Sequence, residues 1–346
     1  MKKQKFVTLK EVGELNINPE GRFFSATGAE IEQGLTSDIY FVRTRDLLGS
    51  IQLADTVVTA DIFSSGPGIL AGVDETLYLL RNSDLEIWAL SEGDSIDSKE
   101  VVLRIKGRYG DFGIYETALL GILSSSSGWA TAARKCKEAA GNRKVISYGA
   151  RHLHPAVAPV MERAAVIGGA DDCSCILGAL LMGRAPVGTV PHAAFLIVGD
   201  TVELARAYDE FVPQDAPRII LVDTFKDEAE EALRVATALG EKLSGIRLDT
   251  PGERGGVTPG LVREVRARLD QAGFNHVQII VSGGLDVERI VLLAEAGADI
   301  FGVGSYISRA PAIDMTMDLK EVNGKAIAKR GRIPGITKNE RLNKVN

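Results

Sequence analysis

IILVDT at 219–224, GIRLDTP at 245–251, QIIVSGGLD at 278–286 and IFGVGS at 300–305 decide the fold. Each opens on a short apolar run rich in branched residues and ends in Asp, Ser, Thr or Gly, which is the text of a strand buried on both faces running into a polar turn. Helical patterns fill the gaps. Lys226 to Leu243 places Ala229, Leu233, Ala236, Leu239 and Leu243 on one face, Thr258-Pro259 reads as an N-cap followed by proline at the first helical position, and Asp286 and Gly297 bracket a third helix. Strands alternating with helices imply an α/β fold built on a parallel sheet, open or closed into a barrel. VIS at 145–147 and VGTV at 187–190 are read as two earlier strands of the same sheet.

Outward from that block the text changes. Residues 55–108 read as short strands broken by Gly, Pro and Asp (DTVVTADIF, GPGILAGVDETLYLLR, LEIWALSEGDSI, KEVVLRIKG), so a small sheet or sandwich is expected there. YETALLGILSSSSGWATAARK, from Tyr115, reads as a helix weakened by four serines, Ser124 to Ser127. After Ala310, MDLKEVNGKAIAKRGRIPG returns to strands with Asn323-Gly324 as a hairpin turn, and it is expected to pair with the first domain. The expected division is a β-rich domain over 1–110, joined by 311–346, and an α/β domain over 111–310.

With 346 residues, 45% of them apolar and 25% charged, the chain is long enough for a large core, and a net charge of -6 argues against a nucleic-acid partner. Cys136, Cys173 and Cys175 supply neither a disulfide framework nor a zinc site and fit a reducing compartment. No apolar segment follows the basic start MKKQK, and no run is long enough to span a membrane, so a cytoplasmic protein is expected.

Residues that follow the strands of such a sheet line its functional face. They are Asp223-Thr224, Asp249-Thr250, Ser282-Gly283-Gly284 and Gly304-Ser305, with Gly302 inside the last strand. Glycine turns leading into helices let backbone N–H groups approach an anion, although each alone also serves as a tight turn. Arg247 and Asp249 stand two apart and share a face of their strand, suited to gripping an anion and sugar hydroxyls or to a plain ion pair. SYGARHLHP at 147–155 offers Tyr148 to stack on a ring and Arg151 to meet an acid group. Pro191 extends the chain before His192, which is either a base or nucleophile beyond a strand end or an ordinary loop histidine.

The text resembles the short bacterial and archaeal nicotinate phosphoribosyltransferases. The likeness is carried by GLTSDIYFVRT at 34–44, ILAGVDETLYLL at 69–80, YETALLG at 115–121, SYGARHLHPAVAP at 147–159, PVGTVPH at 186–192, IRLDTP at 246–251, VSGGLD at 281–286 and AKRGRIPG at 328–335. The resemblance implies a type II phosphoribosyltransferase: an irregular α/β barrel beside an N-terminal sandwich-like domain, in a homodimer with shared sites. It implies transfer of phosphoribose from phosphoribosyl pyrophosphate (PRPP) to nicotinate, with Mg2+ at the diphosphate and ATP hydrolysed through a phosphorylated His192. Asp38 and Tyr40 resemble ring contacts from a neighbouring subunit. Tyr148, Arg151, Arg247 and Asp249 resemble those on the sugar and pyridine, and Ser282 to Gly284 with Gly302, Gly304 and Ser305 resemble the 5′-phosphate cradle. Asp171, in GGADDCS, falls where nicotinamide-using relatives also carry an acid, and an acid near the ring substituent would repel nicotinate unless protonated or turned toward an arginine. Zinc is not implied. The competing readings are a quinolinate phosphoribosyltransferase, which needs more basic residues for a second carboxylate, a nicotinamide enzyme, and a non-catalytic phosphate-binding barrel.

Overall fold

The computed structural model describes residues 6–345, so the MKKQK start lies outside the described residues. The chain divides into two compact units, Met1–Thr131 with Pro311–Asn346, and Ala132–Ala310. The division falls inside one continuous helix, Glu116–Ala140.

In the second unit six strands lie in the order Asp172–Cys173, Lys144–Ser147, Ile300–Val303, Gln278–Val281, Leu243–Leu248, Arg218–Leu221, and every pairing is parallel. Their interior residues are buried on both faces, as the unbroken apolar runs required. The flanking helices start where their caps predict: the Thr258 hydroxyl accepts from Leu261 N at 3.1 Å, and Asp286 Oδ1 accepts from Arg289 N at 2.8 Å. Such a cap is worth about 1 kcal/mol. Gly297, at φ +105°, ends the second of these helices. Helix Glu228–Leu239 buries Ala229, Ala232, Val235, Ala236 and Leu239, whereas Leu243 already belongs to the next strand.

The expectation of a strand at 187–190 is corrected. These residues are irregular, and only Val187 N reaches the sheet, donating to Cys173 O at 3.0 Å. Pro186 and Pro191 flank the segment and Gly188 interrupts it, which outweighs the β-branched Val and Thr. Among the described residues the sheet therefore stays open between Asp172–Cys173 and Arg218–Leu221.

In the first unit the strands lie in the order Lys325–Ala326, Met315–Val322, Val57–Ser64, Val101–Arg108, Glu86–Ala89, Asn343–Lys344, all antiparallel. The tail strand Met315–Val322 pairs with Val57–Ser64, and Asn323 (φ 49°) and Gly324 (φ 74°) make its hairpin turn. A sandwich is not what covers this sheet. Leu79 and Leu80 of helix Val73–Leu80, with Leu119 and Leu123 of the long helix, join the cluster formed by Ile62, Leu103 and Ile105. Among the described residues of this unit the other sheet is the two-stranded pair Gly68–Ile69 with Ser95–Ile96.

Candidate active site

The C-terminal ends of the parallel strands surround a cavity of about 450 Å3 within the second unit. At its centre is Arg247, whose side chain is 16% exposed. Its Nε donates to Ser282 Oγ at 2.8 Å, one terminal nitrogen donates to Thr189 Oγ1 at 3.0 Å, and the other meets Asp249 Oδ2 at 3.1 Å. Ser282 Oγ in turn donates to Asp249 Oδ1 at 2.9 Å. The planar guanidinium is held in three directions and lies 5.3 Å from the centre of the Tyr148 ring. Burial pushes the Tyr148 hydroxyl up, opposed by Arg247.

Two glycines are required by close approach. Gly283 has φ +90°, and a Cβ there would lie 3.0 Å from Asp249 Oδ1; a Cβ on Gly302 would run into the Tyr148 ring. Gly304 likewise leaves room for His152, since a Cβ would sit 3.1 Å from its Nε2. Burial, Arg309 and Arg151 hold the His152 imidazole below its ordinary value.

Tyr148, Arg151, Arg247, Asp249, Ser282, Gly283, Gly284, Gly302, Gly304 and Ser305 all line this cavity. Ala150, His152, Ser174, Gly188 and Thr189 line it too and were missed. Gly188 and Thr189 were hidden in the segment read as a strand, and Ser174 in a cysteine-bearing segment read only as buried. Asp223 was visible at a strand end. It is buried, its Oδ2 accepts from Asp249 N at 3.2 Å, and burial raises its pKa against the pull of His192.

Four expected residues are elsewhere. Asp38 and Tyr40 belong to the first unit, where Asp38 exchanges hydrogen bonds with Thr117 and Tyr40 is 55% exposed. Asp171 precedes strand Asp172–Cys173, so it lies at the opposite end from the cavity; it pairs with Lys137 Nζ at 2.9 Å and accepts from Val145 N at 2.8 Å. His192 begins helix His192–Val198 and lies 3.2 Å from Asp223 Oδ1, outside the cavity lining. Among the described residues no group of three or more His, Cys, Asp or Glu suits a metal ion, and the Asp223 and Asp249 carboxylates are already engaged by donors. These residues form no all-protein cage for Mg2+, whereas a Mg2+ carried by a diphosphate needs only one or two carboxylates from the protein. No helix among the described residues is long and apolar enough to cross a membrane.

A parallel α/β sheet with a glycine-lined, arginine-bearing cavity at its strand ends defines a mixed α/β protein. The chain matches the quinolinate phosphoribosyl transferase N-terminal domain over residues 38–127 and the C-terminal domain of the same family over 129–318. It belongs to the quinolinate phosphoribosyl transferase family. It is similar to the solved nicotinate-nucleotide pyrophosphorylase of Pyrococcus furiosus, with a TM-score of 0.87 and 46% identity over 91% of this chain and 82% of that one. A probable nicotinate-nucleotide pyrophosphorylase [carboxylating] of Methanothermobacter thermautotrophicus is 25% identical over 77% of this chain and 89% of its own length. A nicotinate phosphoribosyltransferase of Mycobacterium tuberculosis is 33% identical over 71% of this chain and 55% of its own length. The chain thus spans about half the length of the curated nicotinate enzymes it matches.

These matches correct the reading drawn from resemblance. Both domains fall in the quinolinate family, in order and over most of the chain, so nicotinate as substrate, ATP as co-substrate and phosphorylation of His192 are set aside. His192 instead has a partner in Asp223.

Proposed function

We propose that this protein is a quinolinate phosphoribosyltransferase, converting quinolinate and PRPP into nicotinate mononucleotide, pyrophosphate and CO2. The observation that carries the reading is the ordered match of both family domains. The bracketed word carboxylating in the name of the Methanothermobacter relative describes the same reaction written backwards.

Chemically, the pyridine nitrogen bonds to C1 of the ribose as the C1–O bond to pyrophosphate breaks. The carboxylate at C2 then leaves as CO2, its bonding electrons remain at C2 beside the positive nitrogen, and a proton replaces it. The protein's part is orientation and electrostatics. In this reading Arg247, fixed by Ser282, Thr189 and Asp249, presents a cation to the anionic substrates while Asp249 faces the positive charge that develops on the ribose. Tyr148 forms a wall for the pyridine. The turns Ser282–Gly284 and Gly302–Ser305 cradle the 5′-phosphate, Arg151 supplies a further basic group for the second carboxylate, and His152 offers it a neutral N–H donor.

Purified protein is to be offered PRPP with quinolinate, nicotinate or nicotinamide, with and without ATP. Release of CO2 and nicotinate mononucleotide from quinolinate alone, unchanged by ATP, is expected. Turnover of nicotinate without any of quinolinate defeats the proposal.

A further inference from the structure

Glu162 has no exposed side-chain surface, yet the donors that hold it are all neutral. Its Oε2 accepts from Ser174 N at 2.8 Å and Cys175 N at 2.7 Å, and its Oε1 accepts from Ser147 Oγ at 3.2 Å and Ser174 Oγ at 3.5 Å. A buried carboxylate without a cation is costly, and convergent N–H and O–H donors are what make it tolerable. It carries no charge useful to a cavity that must take up anions, so what it contributes there is geometry.

The geometry concerns two neighbouring strand ends. Ser147 ends strand Lys144–Ser147, Ser174 follows Asp172–Cys173, and the two strands pair through Ser147 and Cys173. Ser147 is followed by Tyr148, and Ser174 itself lines the cavity. One helix, Ala158–Gly168, supplies both the clasp and the support beneath it: Met161 packs so close to Gly149 that a Cβ there would lie 2.6 Å from its methyl carbon.

We infer that Glu162 is a positioning residue, clasping the two strand ends so that Tyr148 and Ser174 form a fixed wall for the pyridine ring. The inference rests on the proposed reaction only in naming that ring. In Glu162→Gln the side-chain oxygen still accepts both backbone N–H groups, and its amide donates to the two serine hydroxyls, which rotate to accept. In Glu162→Ala both N–H groups lose their partner in a buried place.

The test measures KM and kcat for both substrates in the wild type and the two variants. Deuterium uptake at 147–151 and 174–178 is followed in parallel. Glu162→Ala is expected to raise the quinolinate KM about tenfold, with the PRPP KM within about twofold of the wild type and faster exchange confined to those segments. Glu162→Gln is expected to restore both readouts. Equal losses for both substrates, or a Gln variant as impaired as the Ala variant, overturns the inference. Should Glu162→Ala not fold, Ser147→Ala, which removes one arm of the clasp, must show the same selective rise and the same local exchange, and failure to do so also overturns it. A wild type that never turns over quinolinate refutes the proposed reaction instead, while the exchange comparison still decides the clasp.

Discussion

Tyr148 and Gly302 were each picked out for a separate reason, yet in the structure they fit as one surface, the missing Cβ of the glycine making room for the ring. Tyr148→Ala should therefore raise the pyridine KM several-fold, as expected for loss of about 0.5–1.5 kcal/mol of stacking, while Tyr148→Phe stays close to wild type. Steady-state kinetics of the two variants checks this, and an unchanged KM in Tyr148→Ala removes the ring assignment. Gly283→Val places a side chain where φ is +90° and pushes it toward Asp249, so PRPP affinity should fall at least tenfold in a protein that still melts cooperatively. Isothermal titration with PRPP reads the result. Arg247, Asp249 and the glycines were legible because each follows or ends a recognisable strand. Asp171 was not, because closeness in sequence to a strand does not say which end of it a residue occupies, and it stands before the strand rather than after.

Elements were legible where pattern and composition agreed. Each of the four late strands carries a short apolar run, and the helices between them carry their own caps. VDETLYLL at 73–80 misled because Val, Thr, Leu and Tyr suit strands, but its buried positions, Val73, Thr76, Leu79 and Leu80, fall at helical spacing behind Gly72 at φ +90°. The four serines weakened the reading of the long helix, yet the helix runs through them. Ser127 is buried and accepts from Ala71 N at 3.1 Å, and Ser125 returns its hydroxyl to Gly121 O at 2.7 Å, so their polar groups are satisfied without ending the helix. The first residue of that helix also sets a pH dependence. Burial, with Asp318 adding to it, raises Glu116 from the ordinary 4.5 to about 7 despite its place in a helical first turn. The folded state then holds a proton that the unfolded state has released, so the contribution of Glu116 to stability should be full below about 4.5, fall as pH rises toward about 7, and be lost beyond. Thermal melts of Glu116→Gln between those values should show a flatter profile than the wild type; matching profiles would mean another group controls that range.

At the scale of the molecule, the first unit is made from both ends of the described chain. Strand Met315–Val322 pairs along the length of Val57–Ser64, and Met315 and Met317 enter the same core as Ile62 and Leu103. A chain ending at Ala310 should therefore lose the first unit's cooperative melting and expose the edge of Val57–Ser64, read as aggregation or dye binding. Retention of a wild-type melt would show that the tail is only an accessory. The alternation of strands and helices was enough to see the second unit, and the hairpin signal Asn323-Gly324 enough to send the tail back to the first. The identity of the ring substrate was beyond the motifs, because a phosphate cradle and an Arg–Asp pair of the kind proposed for Arg247 and Asp249 would serve any pyridine acceptor of PRPP.

The same pairing has a consequence for how the protein is made. Ribosomes release residues in order, so Val57–Ser64 emerges with one of its two neighbours, Val101–Arg108, and waits for the other until residues 132–310 have been synthesised. The second unit has all its strands in hand earlier and is free to fold while the first still has an unpaired edge. The nascent chain thus matures from its middle outward, and the interval before Met315–Val322 appears is when a chaperone that shields open strands would have most to do.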